Sequence, residues 1–142
     1  MGHVAVVTGG TRGLGEAIST GLQNAGYTVA AIYAGNDEAT LRFKEKIGIA
    51  TYKFNVSDFE ACEKALEQIT REIGPVEILI NNAGITKDGT MHRMSYDQWS
   101  SVIQTNLASC FNIARSIMPL QNPEYMASPR LWPRKVLPKA LP

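Results

Sequence analysis

The segment Thr8-Gly9-Gly10-Thr11-Arg12-Gly13-Leu14-Gly15 contains four glycines close to the N-terminus and gives the clearest indication of the fold. A wholly apolar run at residues 4–7 precedes it, as is typical of a strand buried on both faces of a parallel sheet. Apolar and small residues follow at helical spacing and predict the buried stripe of a helix: Leu14, Ala17, Ile18, Gly21, Leu22 and Ala25. Glycines between a strand and a helix let the backbone approach a phosphate, although a purely structural turn could use the same glycines. The stretch therefore predicts a strand, a phosphate-binding turn and a helix that begins near Gly13.

Strand and helix patterns then alternate along the chain. Apolar runs predict strands at residues 28–33, 50–56 and 78–80, and a helical pattern at 37–47 is stopped by Gly48. Two capping boxes, Ser57-Asp58-Phe59-Glu60 and Ser95-Tyr96-Asp97-Gln98, predict the starts of two further helices. Their expected inner faces are Cys62, Leu66, Ile69 and Ile73 in the first, and Trp99, Ile103, Asn106 and Cys110 in the second.

This alternation predicts an α/β fold, a Rossmann-type doubly wound parallel sheet. We expect only its N-terminal part, with about four strands plus helices. In the Rossmann order 3-2-1-4, the turns after the first and fourth strands open into the same crevice, where ligands bind. Because both of these turns contain glycine, the functional site is expected there.

Composition and charge exclude several classes of function. The net charge of the 142-residue chain is +1, which argues against nucleic acid or an anionic membrane surface as the main partner. Neither Cys62 nor Cys110 has a CxxC or His/Cys spacing, so we expect buried thiols in a reducing compartment and no metal site. The longest apolar run is too short to span a bilayer, and the N-terminus lacks a signal pattern. These features predict a cytoplasmic protein.

The ends of the second and fourth predicted strands carry further signals. A carboxylate at the end of the second strand would hydrogen-bond the ribose 2′-hydroxyl of NAD. This chain has Tyr33-Ala34-Gly35-Asn36 at that place, and the first carboxylate after the strand is Asp37. Arg12 could instead bind a 2′-phosphate, or it could be a solvated loop charge. At the fourth strand, Asn81-Asn82-Ala83-Gly84 suits a backbone that passes close to a flat ring, or an Asn-rich turn.

Three motifs in this order resemble one known family. They are T-G-x-x-x-G-x-G, N-N-A-G and an asparagine within a helix (Thr105-Asn106-Leu107). Over residues 3–118, these motifs are similar to the signature of classical short-chain dehydrogenases/reductases. Within that family, three segments are most similar to acetoacetyl-CoA reductases of polyhydroxybutyrate synthesis: residues 33–38, 74–79 and 82–88. The 3-oxoacyl-carrier-protein reductases of fatty-acid synthesis share the same motifs and stay an alternative.

The resemblance implies hydride transfer to the carbonyl of a 3-oxoacyl thioester, with NADPH as the cofactor and homo-oligomers among full-length relatives. It implies a catalytic role for Asn106 and a substrate contact for Asp88, which could also be a solvated loop carboxylate. The implied cofactor-binding residues are Gly9, Thr11, Arg12, Gly13, Leu14, Gly15, Asn36, Asn55, Val56, Asn82, Ala83, Gly84 and Ile85. Many relatives have Asp in the place of Asn55. Compared with Asp, Asn keeps a hydrogen-bond acceptor but lacks the negative charge.

The family's general acid is a tyrosine whose pKa is lowered by a lysine four residues later, since an unperturbed tyrosine has a pKa near ~10. None of the five tyrosines here is followed by such a lysine: Tyr27, Tyr33, Tyr52, Tyr96 and Tyr125. The serine-bearing strand of the family is missing as well. We therefore expect the 142-residue chain itself to be catalytically inactive. A second hypothesis is that it is a non-catalytic NADPH-binding fragment.

The last part of the sequence differs in composition from the rest. Residues 1–118, the expected incomplete NADP-binding domain, contain one proline, whereas six of the seven prolines lie in residues 119–142. This spacing predicts an irregular tail over 119–142. We interpret the chain as truncated, with residues 115–142 read in a shifted frame, because the alternative frame can spell the missing Y-x-x-x-K.

Overall fold

Four parallel strands form the centre of the computed structural model, which describes residues 2–121. They are β1 (Val4–Thr8), β2 (Thr28–Tyr33), β3 (Ala50–Lys53) and β4 (Val76–Ile80), in the order β3-β2-β1-β4. In the register of the central pair, Val6 lies opposite Ala30 and Val7 opposite Ala31. The predicted Rossmann order 3-2-1-4 is confirmed.

The strands alternate with helices, and one later helix changes its geometry along its length. The helices are α1 (Gly13–Asn24), α2 (Asp37–Ile47), α3 (Phe59–Ile73), α4 (Tyr96–Ile103) and α5 (Ser109–Gln121). A π-helical turn at Gln104–Ala108 joins α4 to α5, and a short 3-10 turn at Met91–Arg93 precedes α4. No helix in the described part of the chain is long and apolar enough to cross a membrane.

Helices cover both faces of the sheet, which makes it doubly wound. On one face, α3 and α5 pack over Val6 and Ile32 through side chains such as Leu66, Ile69 and Ile113. On the other face, Val7 and Ala31 pack with Phe43 of α2 and with half-buried residues of α1. Burying each large aliphatic side chain contributes about 1.5–3 kcal/mol, and the wholly buried β1 receives this contribution from both faces. Burial on both faces of the sheet therefore explains the continuous apolar run at residues 4–7, as the sequence predicted.

Several element boundaries differ from the sequence prediction; β4, for example, begins at Val76 instead of residue 78. β3 ends at Lys53 instead of Val56, and the last bond to β2 is donated by the N–H of Phe54 to the carbonyl of Tyr33 (3.0 Å). The N-cap of α3 is Asp58, whose carboxylate accepts from the N–H of Ala61 (3.1 Å). Ser57 is not the cap; its hydroxyl instead donates to the side-chain oxygen of Asn55 (2.7 Å).

The predicted buried stripe of α1 was wrong in part. The side chain of Leu14 is 72% exposed, and Gly15 and Ser19 face the sheet instead. The cause is the glycine turn, because the Ser19 hydroxyl donates to the carbonyl of Gly10 (2.9 Å) and so turns that face inward. Contacts with the turn therefore decide which face of α1 is buried.

The predicted inner face beyond Ser95 was also wrong in part. Trp99 is 50% exposed and Asn106 is exposed, whereas α5 buries Ser109, Asn112, Ile113, Ser116 and Ile117. The π-helical turn inserts a residue into the helical period, so the stripe after it lies on a rotated face. The prediction of buried thiols is confirmed for Cys62, but Cys110 is only half-buried.

The region expected to be an irregular tail begins inside a helix. α5 continues through Pro119 to Gln121, three residues past the expected boundary at 118. Residues 122–142, where most of the predicted tail falls, lie outside the residues that the structure describes.

Candidate functional site

A cleft of about 250 Å³ opens at the carboxyl ends of the strands. The turns after all four strands contribute to it, so it lies at the crevice that the strand order predicts. Most of the residues assigned from the sequence line it: Gly9, Thr11, Arg12, Asn36, Asn55, Val56, Ala83, Gly84 and Ile85. Its other lining residues, which the sequence reasoning did not name as site residues, are Ile32, Tyr33, Ala34, Gly35, Ala39, Phe54 and Thr105.

The glycine turn is shaped by close backbone approach. Gly9 and Gly13 have positive φ angles (62° and 54°), which favour glycine over residues with side chains. A Cβ on Gly15 would lie 1.8 Å from the carbonyl oxygen of Gly9 and 2.6 Å from Nδ2 of Asn82. Gly15 is therefore needed for packing within the turn and does not itself line the cleft. Gly13 and Leu14 do not line the cleft either, and the Leu14 side chain is exposed.

Arg12 is the cation at the rim of the cleft. It stands at the N-cap of α1 in an extended conformation, with an exposed side chain. Within residues 2–121 its guanidinium forms no ion pair and no side-chain hydrogen bond. It adds to the positive end of the α1 dipole, so this side of the cleft favours an anion.

Thr8 joins the glycine turn to the turn after β4. Its hydroxyl oxygen accepts from the N–H groups of Asn82 (3.0 Å) and Ala83 (2.9 Å). The amide of Asn82 in turn donates to the carbonyls of Thr8 (3.0 Å) and Gly9 (3.1 Å). Asn82 thus supports the cleft from behind without lining it. The sequence reasoning missed the role of Thr8, and only the pairing of β1 with β4 could have indicated it.

A second connection holds the turn after β2. Asn36 has a left-handed backbone (φ 57°) and caps α2, since its side chain accepts from the N–H of Ala39 (3.0 Å). The buried hydroxyl of Thr40 donates to that of Thr11 (3.2 Å), which ties α2 to the glycine turn. These bonds keep Asn36 and Thr11 on the wall of the cleft.

The far wall of the cleft is Asn55 and Val56. The side-chain oxygen of Asn55 accepts from the N–H and the hydroxyl of Ser57 (3.0 and 2.7 Å), so its amide nitrogen is the group left for a ligand. The Val56 carbonyl accepts from the buried amide of Asn112 (3.1 Å) and from the thiol of Cys62 (3.5 Å). Burial, reinforced by the charge of Asp58, raises the pKa of Cys62 to about 11.

Asn106 lies in the π-helical turn; it does not itself line the cleft but is hydrogen-bonded to Ile85, which does. Its side chain accepts from the N–H of Ile85 (2.8 Å) and donates to the carbonyl of the same residue (3.0 Å). A Cβ on Gly84 would lie 3.5 Å from the side-chain oxygen of Asn106, which is an ordinary van der Waals contact. Asp88 is exposed and does not line the cleft.

No tyrosine in the described part of the chain has a lysine four residues later. Tyr52 is engaged elsewhere, because its hydroxyl donates to Glu72 of α3 (2.7 Å), and burial together with this carboxylate raises the pKa of Tyr52. The described residues also contain no group of three or more His, Cys, Asp or Glu that could hold a metal ion. They can therefore bind and orient a ligand but do not supply a proton donor of the Tyr/Lys type.

Comparison with known proteins agrees with this architecture. Residues 3–124 match the family described as short chain dehydrogenase. The chain is 52% identical over 117 residues to the acetoacetyl-CoA reductase of Paracoccus denitrificans, covering 82% of this chain and 48% of that protein. It is 36% identical over 124 residues to a 3-oxoacyl-acyl-carrier-protein reductase of Staphylococcus epidermidis, covering 84% of this chain and 51% of that protein.

A solved structure shows the same fold. A mutant short-chain dehydrogenase/reductase of Serratia marcescens matches with a TM-score of 0.78 at 28% identity, covering 83% of this chain and 50% of that one. The chain thus spans about half the length of the curated relatives that it matches.

Proposed function

The chain belongs to the short-chain dehydrogenase family, and from that premise we propose that it is the NADPH-binding part of a reductase acting on 3-oxoacyl thioesters. The observation that carries the proposal is the cleft itself, which brings the glycine turn, Arg12 and the turn after β4 to one site. Among residues 2–121, no carboxylate lines this cleft.

The residues of the cleft fit a phosphorylated dinucleotide. The N–H groups at the start of α1, at Gly13, Leu14 and Gly15, would bind the pyrophosphate, and Gly9 and Thr11 would let the backbone approach it. Arg12 and Asn36 take the 2′-phosphate side, and Asn55 with Val56 holds the adenine. Asn82, Ala83, Gly84 and Ile85 form the nicotinamide side, where Asn82 acts by fixing the turn.

The bound cofactor supplies a hydride, and the protein residues orient the reacting groups. Asn106 is a positioning residue in this chain, because it holds both polar backbone groups of Ile85 at the nicotinamide side. Asp88 is proposed as a contact to the acyl substrate from the exposed loop after Ile85. No tyrosine of this sequence has a lysine four residues later that would help it to protonate the carbonyl oxygen. Under this proposal the 142-residue chain binds the cofactor without turnover.

The substrate assignment follows the stronger of two similarities. The 52% identity to an acetoacetyl-CoA reductase favours acetoacetyl-CoA as the substrate. Its reduction would give 3-hydroxybutyryl-CoA for polyhydroxybutyrate synthesis in the cytoplasm, and full-length relatives are expected to act as homo-oligomers. The 36% identity to a carrier-protein reductase supports the second candidate, a 3-oxoacyl group on a carrier protein.

Titration of the 142-residue chain with NADPH and with NADH, followed by nucleotide fluorescence, tests the cofactor site. We expect tighter binding of NADPH, and Arg12→Ala should weaken NADPH about tenfold while leaving NADH nearly unchanged. Arg71→Ala, which removes an exposed arginine of α3, is the matched control and should change neither affinity. Equal affinities of the unaltered chain for the two cofactors, or tighter NADH, would contradict the proposal.

A further inference from the structure

Asp37 is the first carboxylate after β2 and stands next to the cleft. It follows Asn36, which lines the cleft, and begins α2. Its charge suits the helix N-terminus but would repel a 2′-phosphate bound at Arg12 and Asn36. Something must offset this charge if the site is to accept NADPH.

Lys53 stands opposite this carboxylate. It is the last residue of β3 and the register partner of Tyr33 at the end of β2, so its side chain rises at the same edge of the sheet. Its ammonium group donates to the carboxylate of Asp37 at 2.8 Å. The ion pair therefore joins the end of β3 to the start of α2 beside the cleft.

We propose that Lys53 is a specificity-determining residue that acts through Asp37: by cancelling the charge of this carboxylate it lets the site accept a 2′-phosphate. The inference rests on the proposed NADPH site and adds a residue outside the cleft wall to it. Lys53 itself does not line the cleft.

The surrounding charges agree with this role. The other acidic residue in the first turn of α2, Glu38, is paired with Arg42 (2.9 Å), so both carboxylates of that turn are matched by cations. Arg12 has no such partner within residues 2–121. The hydrogen bond from Lys53 lowers the pKa of Asp37, which agrees with the direct ion pair between the two groups. Among residues 2–121, Arg12 is the one charged residue that lines the cleft.

The test compares two nucleotides that differ only in the 2′-phosphate, 2′,5′-ADP and 5′-AMP, by calorimetric titration of the full chain. Lys53→Met leaves the Asp37 charge uncompensated and should weaken 2′,5′-ADP about two- to fivefold, as expected for screened surface charges. Asp37→Asn should strengthen it by a similar factor, and the double variant should return close to the unaltered chain. Binding of 5′-AMP should change little, and all differences should shrink as ionic strength rises.

A purely structural role of the ion pair predicts a different pattern. If the pair only held the turn in place, both single variants would weaken both nucleotides and the double variant would not recover, which would overturn the inference. Lys64→Met on α3 removes the same charge far from the pair and should leave both affinities unchanged. If neither nucleotide bound the unaltered chain, the cofactor site and this inference would both fail. If both bound and Lys53→Met had no effect, only the inference would fail.

Discussion

Thr8 and Asn82, which are 74 residues apart in sequence, form a reciprocal pair. The hydroxyl of Thr8 accepts from the backbone N–H of Asn82, and the side chain of Asn82 donates to the backbone carbonyl of Thr8, both at 3.0 Å. The glycine turn and the turn after β4 are thereby held as one unit. The two walls of the cleft that they form depend on this pair.

Replacing Thr8 with Val, which has nearly the same shape, should lower the free energy of unfolding by about 1–3 kcal/mol. The change leaves the N–H groups of Asn82 and Ala83 without their acceptor. Hydrogen exchange should speed up at these two amides. Thr8→Ser keeps the acceptor and should leave their exchange slow, and equal exchange in both variants would show that the pair is unimportant.

Two glycines of α1 should respond oppositely to alanine. Gly15→Ala places a Cβ 1.8 Å from the Gly9 carbonyl, so the turn must open, and nucleotide affinity and stability should both fall. Gly21→Ala meets no atom within 4 Å and should stabilise the helix by up to about 1 kcal/mol. Thermal unfolding and NADPH titration of both variants give the result. A Gly15→Ala protein that binds as well as the unaltered chain would refute the packing argument.

Cys62 should make the fold sensitive to alkaline pH. Its pKa is raised from 9.0 to about 11, so the folded state holds the thiol proton more tightly than the unfolded chain does. Stability from this group is therefore complete below pH 9 and is lost as the pH rises toward 11, by about 2–3 kcal/mol. Denaturant unfolding across this range should show a shallower decline for Cys62→Ala. Cys110→Ala, the control, should keep the decline of the unaltered chain.

The purified 142-residue chain should show no reduction of acetoacetyl-CoA by NADPH. It binds the cofactor under our proposal but has no tyrosine with a lysine four residues later to protonate the carbonyl oxygen. The assay follows NADPH absorbance, with an intact acetoacetyl-CoA reductase as the positive control. Steady turnover by the sequence-verified chain would show that another group donates the proton.

The coding sequence from Arg115 onward should spell the missing catalytic helix in a shifted frame. Joining the third base of each codon to the first two of the next forces Ala at Met118/Pro119, Gly at Met126/Ala127 and Ala at Trp132/Pro133. With permitted codons elsewhere, the string begins V-N-Y-A-A-A-K-S-G, which contains Y-x-x-x-K. Sequencing the gene decides the matter, since codons across Ile117 to Asn122 that cannot spell this motif would end the hypothesis.

The strand order followed from the general rules for sheets in which strands and helices alternate. Sequence patterns alone were sufficient to predict the glycine turn and the bounds of α2. These features depend on local signals, namely the apolar period of each segment and the glycines that interrupt it. It also brought most of the cleft residues together, because a parallel sheet places the ends of all its strands at one edge.

The buried faces of the helices and the residues that support the cleft depend on contacts between distant segments, which sequence patterns did not predict. Contacts of Ser19 with the glycine turn selected the buried face of α1, and a π-helical turn rotated the buried face of α5 away from Asn106. The Thr8–Asn82 and Asp37–Lys53 pairs join residues that lie far apart in the chain. Local periodicity carries no information about such pairs, since each forms only when strand pairing places two segments side by side.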